Sequence, residues 1–102
     1  MEHYDIYCDW LRSRRFGAFD YQGHHRVVVP GHVGQIGGDD VLVAYQIDGS
    51  SSSGVPPFWR TFKLNQIRNL QMSERSFVGF PNGFRRNAGR MNMRVCCELS
   101  DC

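Results

Sequence analysis

The segment Trp59-Arg60-Thr61-Phe62-Lys63-Leu64 puts a guanidinium where its surroundings demand an explanation. Successive side chains of a strand point to opposite faces, so Arg60 shares its side with Phe58 and Phe62. Burying an unpaired guanidinium costs several kcal/mol. Arg60 therefore either pairs with a carboxylate such as Asp20 or Asp39, or faces a pocket where a ligand supplies the anion. Arg26 repeats the situation, sharing a face with Val28 while His25 shares one with Val27 and Val29. Tyr21, Tyr45 and Trp59 bring flat rings close in sequence to both arginines, and Lys63 adds a cation to the same strand. Arginine beside an aromatic ring suits a nucleotide base and its phosphate. Arg26, Tyr45, Trp59, Arg60, Tyr21 and Lys63 are thus the candidate ligand-binding residues, with core packing as the competing role for each ring.

A second basic stretch runs through Arg75, Arg85, Arg86, Arg90 and Arg94, with no acidic residue between Arg75 and Cys97. Interleaved with Phe77, Phe80 and Phe84, it reads either as a solvated arm or as an arm for nucleic-acid backbone, with Arg85, Arg86 and Arg90 as its contacts. Other chemistries lack their residues. His24-His25 and Cys96-Cys97 are adjacent pairs whose members point to opposite sides of a strand, which is poor spacing for zinc. No serine sits on a Gly-x-Ser-x-Gly turn and no Gly-rich loop carries a phosphate-binding Lys. The chain is expected to bind rather than catalyse, without metal or cofactor.

Positioning these residues needs a sheet. Ile6, Tyr7, Trp10 and Leu11 recur at helical spacing, with Asp5 near the start and Arg12, Arg14 and Arg15 near the end, which predicts a short amphipathic helix over about 4–14. From Phe16 the period becomes two, and a strand runs to a turn at Gln22-Gly23. His25–Pro30 is β-branched, and Gly31, Gly34, Gly37 and Gly38 mark bends and a hairpin turn. Val41, Val43, Tyr45 and Ile47 share one face of a central strand, with Leu42 and Ala44 on the other. A polar loop over 48–57, built on four consecutive serines, precedes strands at Phe58–Leu64 and Ile67–Met72 joined by one helical step at Asn65-Gln66. Residues 79–90 read as a loop. Met91, Met93, Val95, Cys97 and Leu99 then alternate as a half-buried strand, added at the sheet edge or exchanged with a second subunit. Five strands with a short helix before them suggest a closed or nearly closed small barrel.

At 102 residues, 41% hydrophobic and 13% aromatic, the chain suits one domain with a modest core. The expected division is a barrel with its helix over 1–78 and an arginine-rich loop with a C-terminal strand over 79–102, both in the same domain. The net charge of +2 conceals a sign change between the halves: residues 1–50 carry four basic and seven acidic side chains, residues 51–102 eight and three. Eleven of the twelve basic residues are Arg, which favours an anionic partner. No stretch approaches the roughly 20 apolar residues of a membrane span. The start, Met1-Glu2-His3-Tyr4-Asp5, lacks the regions of a secretion signal, so a cytoplasmic location is expected. Cys8, Cys96, Cys97 and Cys102 form no spaced framework and are expected to be reduced, with Cys8 a small buried side chain on the helix.

Residues from about Phe19 to Phe77 resemble the WYL family of bacterial small-barrel domains. An aromatic-x-Gly turn leads into Arg-x-Val-x-Pro in Tyr21-Gln22-Gly23-His24-His25-Arg26-Val27-Val28-Val29-Pro30. Ala44-Tyr45, Arg60-Thr61-Phe62-Lys63-Leu64 and Ile67-Arg68-Asn69-Leu70 follow in the family's order. Asp40-Val41-Leu42 stands where the family's naming Trp-Tyr-Leu would be, and Gln66 replaces an arginine. The resemblance implies a mainly β fold, an Sm-like or Src-homology-3-like barrel of about five antiparallel strands with a short N-terminal helix and an extra C-terminal strand. It also implies a regulatory sensor of nucleotide-type ligands or single-stranded nucleic acid, using Arg26, Tyr45 and Arg60. The helix-turn-helix that usually precedes such domains is not in this sequence, which argues against direct operator reading. The alternative is a protein-interaction or homodimerising module, using the strand at 91–99, that ignores nucleic acid.

Overall fold

The first element in the computed structural model, which describes residues 2–49, 58–81, 83–84 and 93–99, is the helix α1 over Glu2–Ser13. Trp10 and Leu11 are almost wholly buried and Tyr7 and Cys8 nearly so, whereas Ile6, expected on the same stripe, is exposed. Ser13 Oγ donates to the Trp10 carbonyl in the last turn. Arg14 then takes a positive φ of 55° and the chain leaves the helix. The Trp10 indole N–H donates to the Arg15 carbonyl at 2.8 Å, holding the helix against the strand that follows.

That strand, β1, spans Arg15–Tyr21, and the left-handed Gln22-Gly23 pair turns the chain into β2, His24–Ile36. The sequence predicts a strand ending near Pro30, but β2 runs on to Ile36 and is 13 residues long in all. Register shifts on either side of Val28 and Pro30 absorb the proline and let the strand bend. Gly37-Gly38, both at positive φ, close the hairpin to β3, Asp39–Gly49, which pairs with β2 and with β4, Phe58–Lys63. A 3-10 turn at Leu64–Gln66 supplies the expected helical step into β5, Ile67–Ser76.

The sheet order is β4-β3-β2-β1-β5, antiparallel throughout, with β6, Met93–Glu98, also pairing with β2. Along one edge β2 carries β1 at residues 24–28 and β6 at 32–36, while β3 occupies the other edge. The C-terminal strand thus pairs within its own chain. The fold is mainly β, and β4 and β5, at the two ends of the sheet, do not pair with each other among the described residues.

Phe19, Val28, Leu42, Ala44 and Phe62 fill the core with Trp10, Leu11 and Leu99. Phe62 meets Phe19 and Tyr21 edge-on, with ring centroids 4.9 Å apart in each pair. The Tyr21 hydroxyl accepts the Lys63 backbone N–H at 3.0 Å, tying β1 to β4 across the curled sheet. The thiol expectation is overturned: Cys8 and Cys97 form a disulfide between α1 and β6, leaving Cys96 free and exposed. Their separation of 89 residues explains why spacing gave no sign of it, since the pair is created by β6 docking on β2. No described helix is long and apolar enough to cross a membrane. The 50–57 part of the serine-rich loop and the arm residues Arg85, Arg86 and Arg90 lie outside the described residues.

Candidate anion-binding site

Strand alternation places Arg26 on the core side of β2 with Val28, and Arg60 on the core side of β4 with Phe62. Arg26 pairs with Phe19 across β1, and Val28 with Gln46 across β3, so the guanidinium enters the core among aromatic rings. It lies 5.6 Å from the Tyr21 ring centroid and 5.7 Å from that of Phe62. Arg26 is completely buried. One terminal nitrogen donates to Gln46 Oε1 at 3.1 Å and the other to the Tyr21 carbonyl at 3.3 Å. Both acceptors are neutral, and Nε has no hydrogen-bond partner among the described residues. Burial first, and then the like charge of Arg60, pull the Arg26 guanidinium below its ordinary pKa.

The two carboxylates weighed as internal partners are engaged elsewhere. Asp20 contacts His25 at 3.2 Å and accepts from Asn69 at 2.9 Å, which holds its carboxyl below the usual range, mainly through the Asn69 bond. Asp39 faces Lys63 at 3.6 Å. Gln46 is the residue that sequence reasoning missed. Its signal was available, because a polar side chain two positions beyond Leu42 and Ala44 on their face must enter the core and find a partner.

Of the six candidate residues, Arg26, Arg60 and Tyr21 come together. Tyr45 and Trp59, neighbours across β3 and β4, lie on the opposite face with ring centroids 5.3 Å apart. There they join His32 and Phe84, whose rings stack at 4.8 Å, and Phe80 stacks on Phe84 at 4.9 Å. These rings pack under the segment after β5 and turn away from the arginines. Lys63 is exposed at the far end of β4, about 10 Å from Arg60 at strand rise.

His32 is buried in this outer cluster and contacts Glu98 at 3.0 Å. Desolvation outweighs the Glu98 carboxylate and lowers the imidazole pKa below 6.5. Between that lowered value and 6.5 the unfolded chain binds a proton that the native state refuses. The His32 contribution is therefore complete above pH 6.5 and falls away as the pH drops through this window. The melting temperature is expected to fall between pH 7.5 and pH 5, and His32→Gln to flatten that slope. An unchanged slope in the variant would assign the pH dependence to other groups.

Among the described residues no group of three or more His, Cys, Asp or Glu side chains is arranged to hold a metal ion. The arrangement is suited to holding an anion electrostatically, by a desolvated guanidinium with a second arginine beside it. Comparison with protein-family models, with curated proteins and with solved structures finds no match to this chain.

Proposed function

We propose that this chain is a WYL-like regulatory binding module that takes nucleotide-type ligands or single-stranded nucleic acid by their phosphate. The reading is carried by Arg26, a fully buried guanidinium whose partners are both neutral. A core cation without a carboxylate lowers stability, and a phosphate drawn to Arg26 and Arg60 would relieve both the desolvation and the repulsion between them. Arg60 is only half-buried, so it is the arginine a ligand meets first. Because Tyr45 and Trp59 lie on the other face, base stacking is not part of this site. The proposed fold is a small barrel of the Sm or Src-homology-3 type, supported by the strand order and by the single 3-10 turn between the end strands β4 and β5.

The test is fluorescence titration of labelled single-stranded DNA and RNA, with ATP and inorganic phosphate as competitors, at about 50 and 200 mM salt. Wild type should bind more weakly at the higher salt. Arg60→Ala and Arg26→Met should each weaken binding by about tenfold or more. Arg26→Met should also keep or raise the melting temperature, because a well-packed apolar side chain replaces a buried charge. Absence of binding to every probe, or two unaffected variants, would overturn the proposal.

A further inference from the structure

At the far end of β4 from Arg60, a cavity of about 400 Å³ opens between α1, the β2–β3 turn and the 3-10 turn. Tyr7, Gly38, Asp39, Asp40, Lys63 and Asn65 line it. The three tyrosines at this end differ in one respect. Tyr4 donates to Asp40 Oδ1, and Tyr21 accepts from the Lys63 amide. Tyr7 is only 7% exposed as a residue, and its hydroxyl, which has no hydrogen-bond partner among the described residues, is not itself fully buried and borders the cavity. A hydroxyl that faces a cavity and has no protein partner keeps both its donor and its acceptor capacity for a ligand's polar atom.

The opposite wall sets the ligand's charge. Asp39 and Lys63 face each other at 3.6 Å, too long for a hydrogen bond, so both heads keep bonding capacity. An anion entering here would meet two aspartates, and a cation would have to compete with Lys63 for Asp39 and with Tyr4 and Gln35 for Asp40. A hydroxyl group can donate to Asp39 and accept from Lys63 at once, leaving their attraction intact. Asp40 already accepts from Tyr4 and from Gln35, so it adds a fixed acceptor to the wall. Asn65 contributes an amide that can both donate and accept. The volume falls within the range of small-molecule sites and admits a ring with several hydroxyls.

We propose that this cavity binds a small neutral polyol of sugar size, with Tyr7, Asp39, Lys63 and Asn65 as its hydrogen-bonding residues. The site is separate from the arginine site. Either can fail without the other, since Arg60 pairs with Ala44 in the middle of the ladder and Lys63 with Val41 at its end, three positions away.

The experiment is an amide chemical-shift titration of the labelled protein with D-glucose and D-ribose at tens of millimolar, with putrescine and glutamate as charged controls. Saturable shifts are expected at Gly38, Asp39, Lys63 and Asn65 with at least one sugar. Tyr7→Phe removes one oxygen and should weaken sugar binding about fivefold or more while leaving the melting temperature close to wild type. Asp39→Asn, at an exposed position, should weaken it comparably and cannot be attributed to misfolding. Three results would each overturn the proposal: no saturable shift with either sugar, unchanged affinity in both variants, or preferential binding of putrescine or glutamate at these amides.

Discussion

Reducing the Cys8–Cys97 bond, or replacing both cysteines by alanine, is expected to lower the melting temperature by about 10–20 °C. The bond closes a loop of 89 residues in a chain of 102. Loop-closure entropy for that length corresponds to about 4–5 kcal/mol, and measured values for disulfides commonly run at 2–4 kcal/mol. The bond also pins α1, which brings Trp10 and Leu11 into the core, to β6, so its loss frees two elements together. Cys96→Ser serves as the control. It removes an exposed thiol beside the bond, prevents exchange with it, and should leave the melting temperature unchanged. Thermal unfolding monitored with thiol counting checks both points. If the bond is fully reduced and the transition does not move, packing alone holds α1 to β6.

Gly34→Ala is expected to destabilise the protein by about 3 kcal/mol, near the upper end for overpacking. A Cβ at this position would stand 2.0 Å from the Arg94 carbonyl oxygen and 2.9 Å from its carbon. Both are backbone atoms of β6, which cannot swing aside as a side-chain tip would. The register between β2 and β6 already shifts between Val33 and Gly34, so the strand has little further adjustment to offer. Hydrogen exchange should show faster opening at the amides of Val95 and Cys97 than at those of β3. A melting temperature within about 2 °C of wild type would show that β6 can move outward without loss, and the disulfide alone would then account for its position.

The two mutations probe a part of the molecule that local sequence patterns do not describe. Period-two alternation was enough to find β1, the central β3 and the β4–turn–β5 unit, because each is a local statement about which side chains face inward. The same alternation put Arg26 and Arg60 on the core side. It could not say that Tyr45 and Trp59 would join a ring cluster with Phe84 on the far face, through the Trp59–Phe84 contact, since that depends on a segment more than twenty residues later. It also ended β2 too early. Pro30 reads as a stop when no neighbour is known, yet it is tolerated at a bulge whose neighbours are set by β3 and β6. The disulfide and the unpartnered Tyr7 hydroxyl have the same origin. Both arise where α1 meets distant strands, and neither leaves a local signature. Ile6 shows the converse, an apolar residue at helical spacing that the packing leaves in solvent.

The divided edge of β2 also bears on how fast the chain can reach this arrangement. Half of that edge is taken by β1, adjacent in sequence, and half by β6, whose partners His32 to Ile36 lie some sixty residues away. The first pairing can form as a hairpin within microseconds, whereas the second must wait for a long loop to close before any contact rewards it. Until then half of an apolar strand is bare and open to pairing with another molecule. The arrival of β6 is therefore the expected slow step in folding, and the interval before it is when aggregation is expected to compete most.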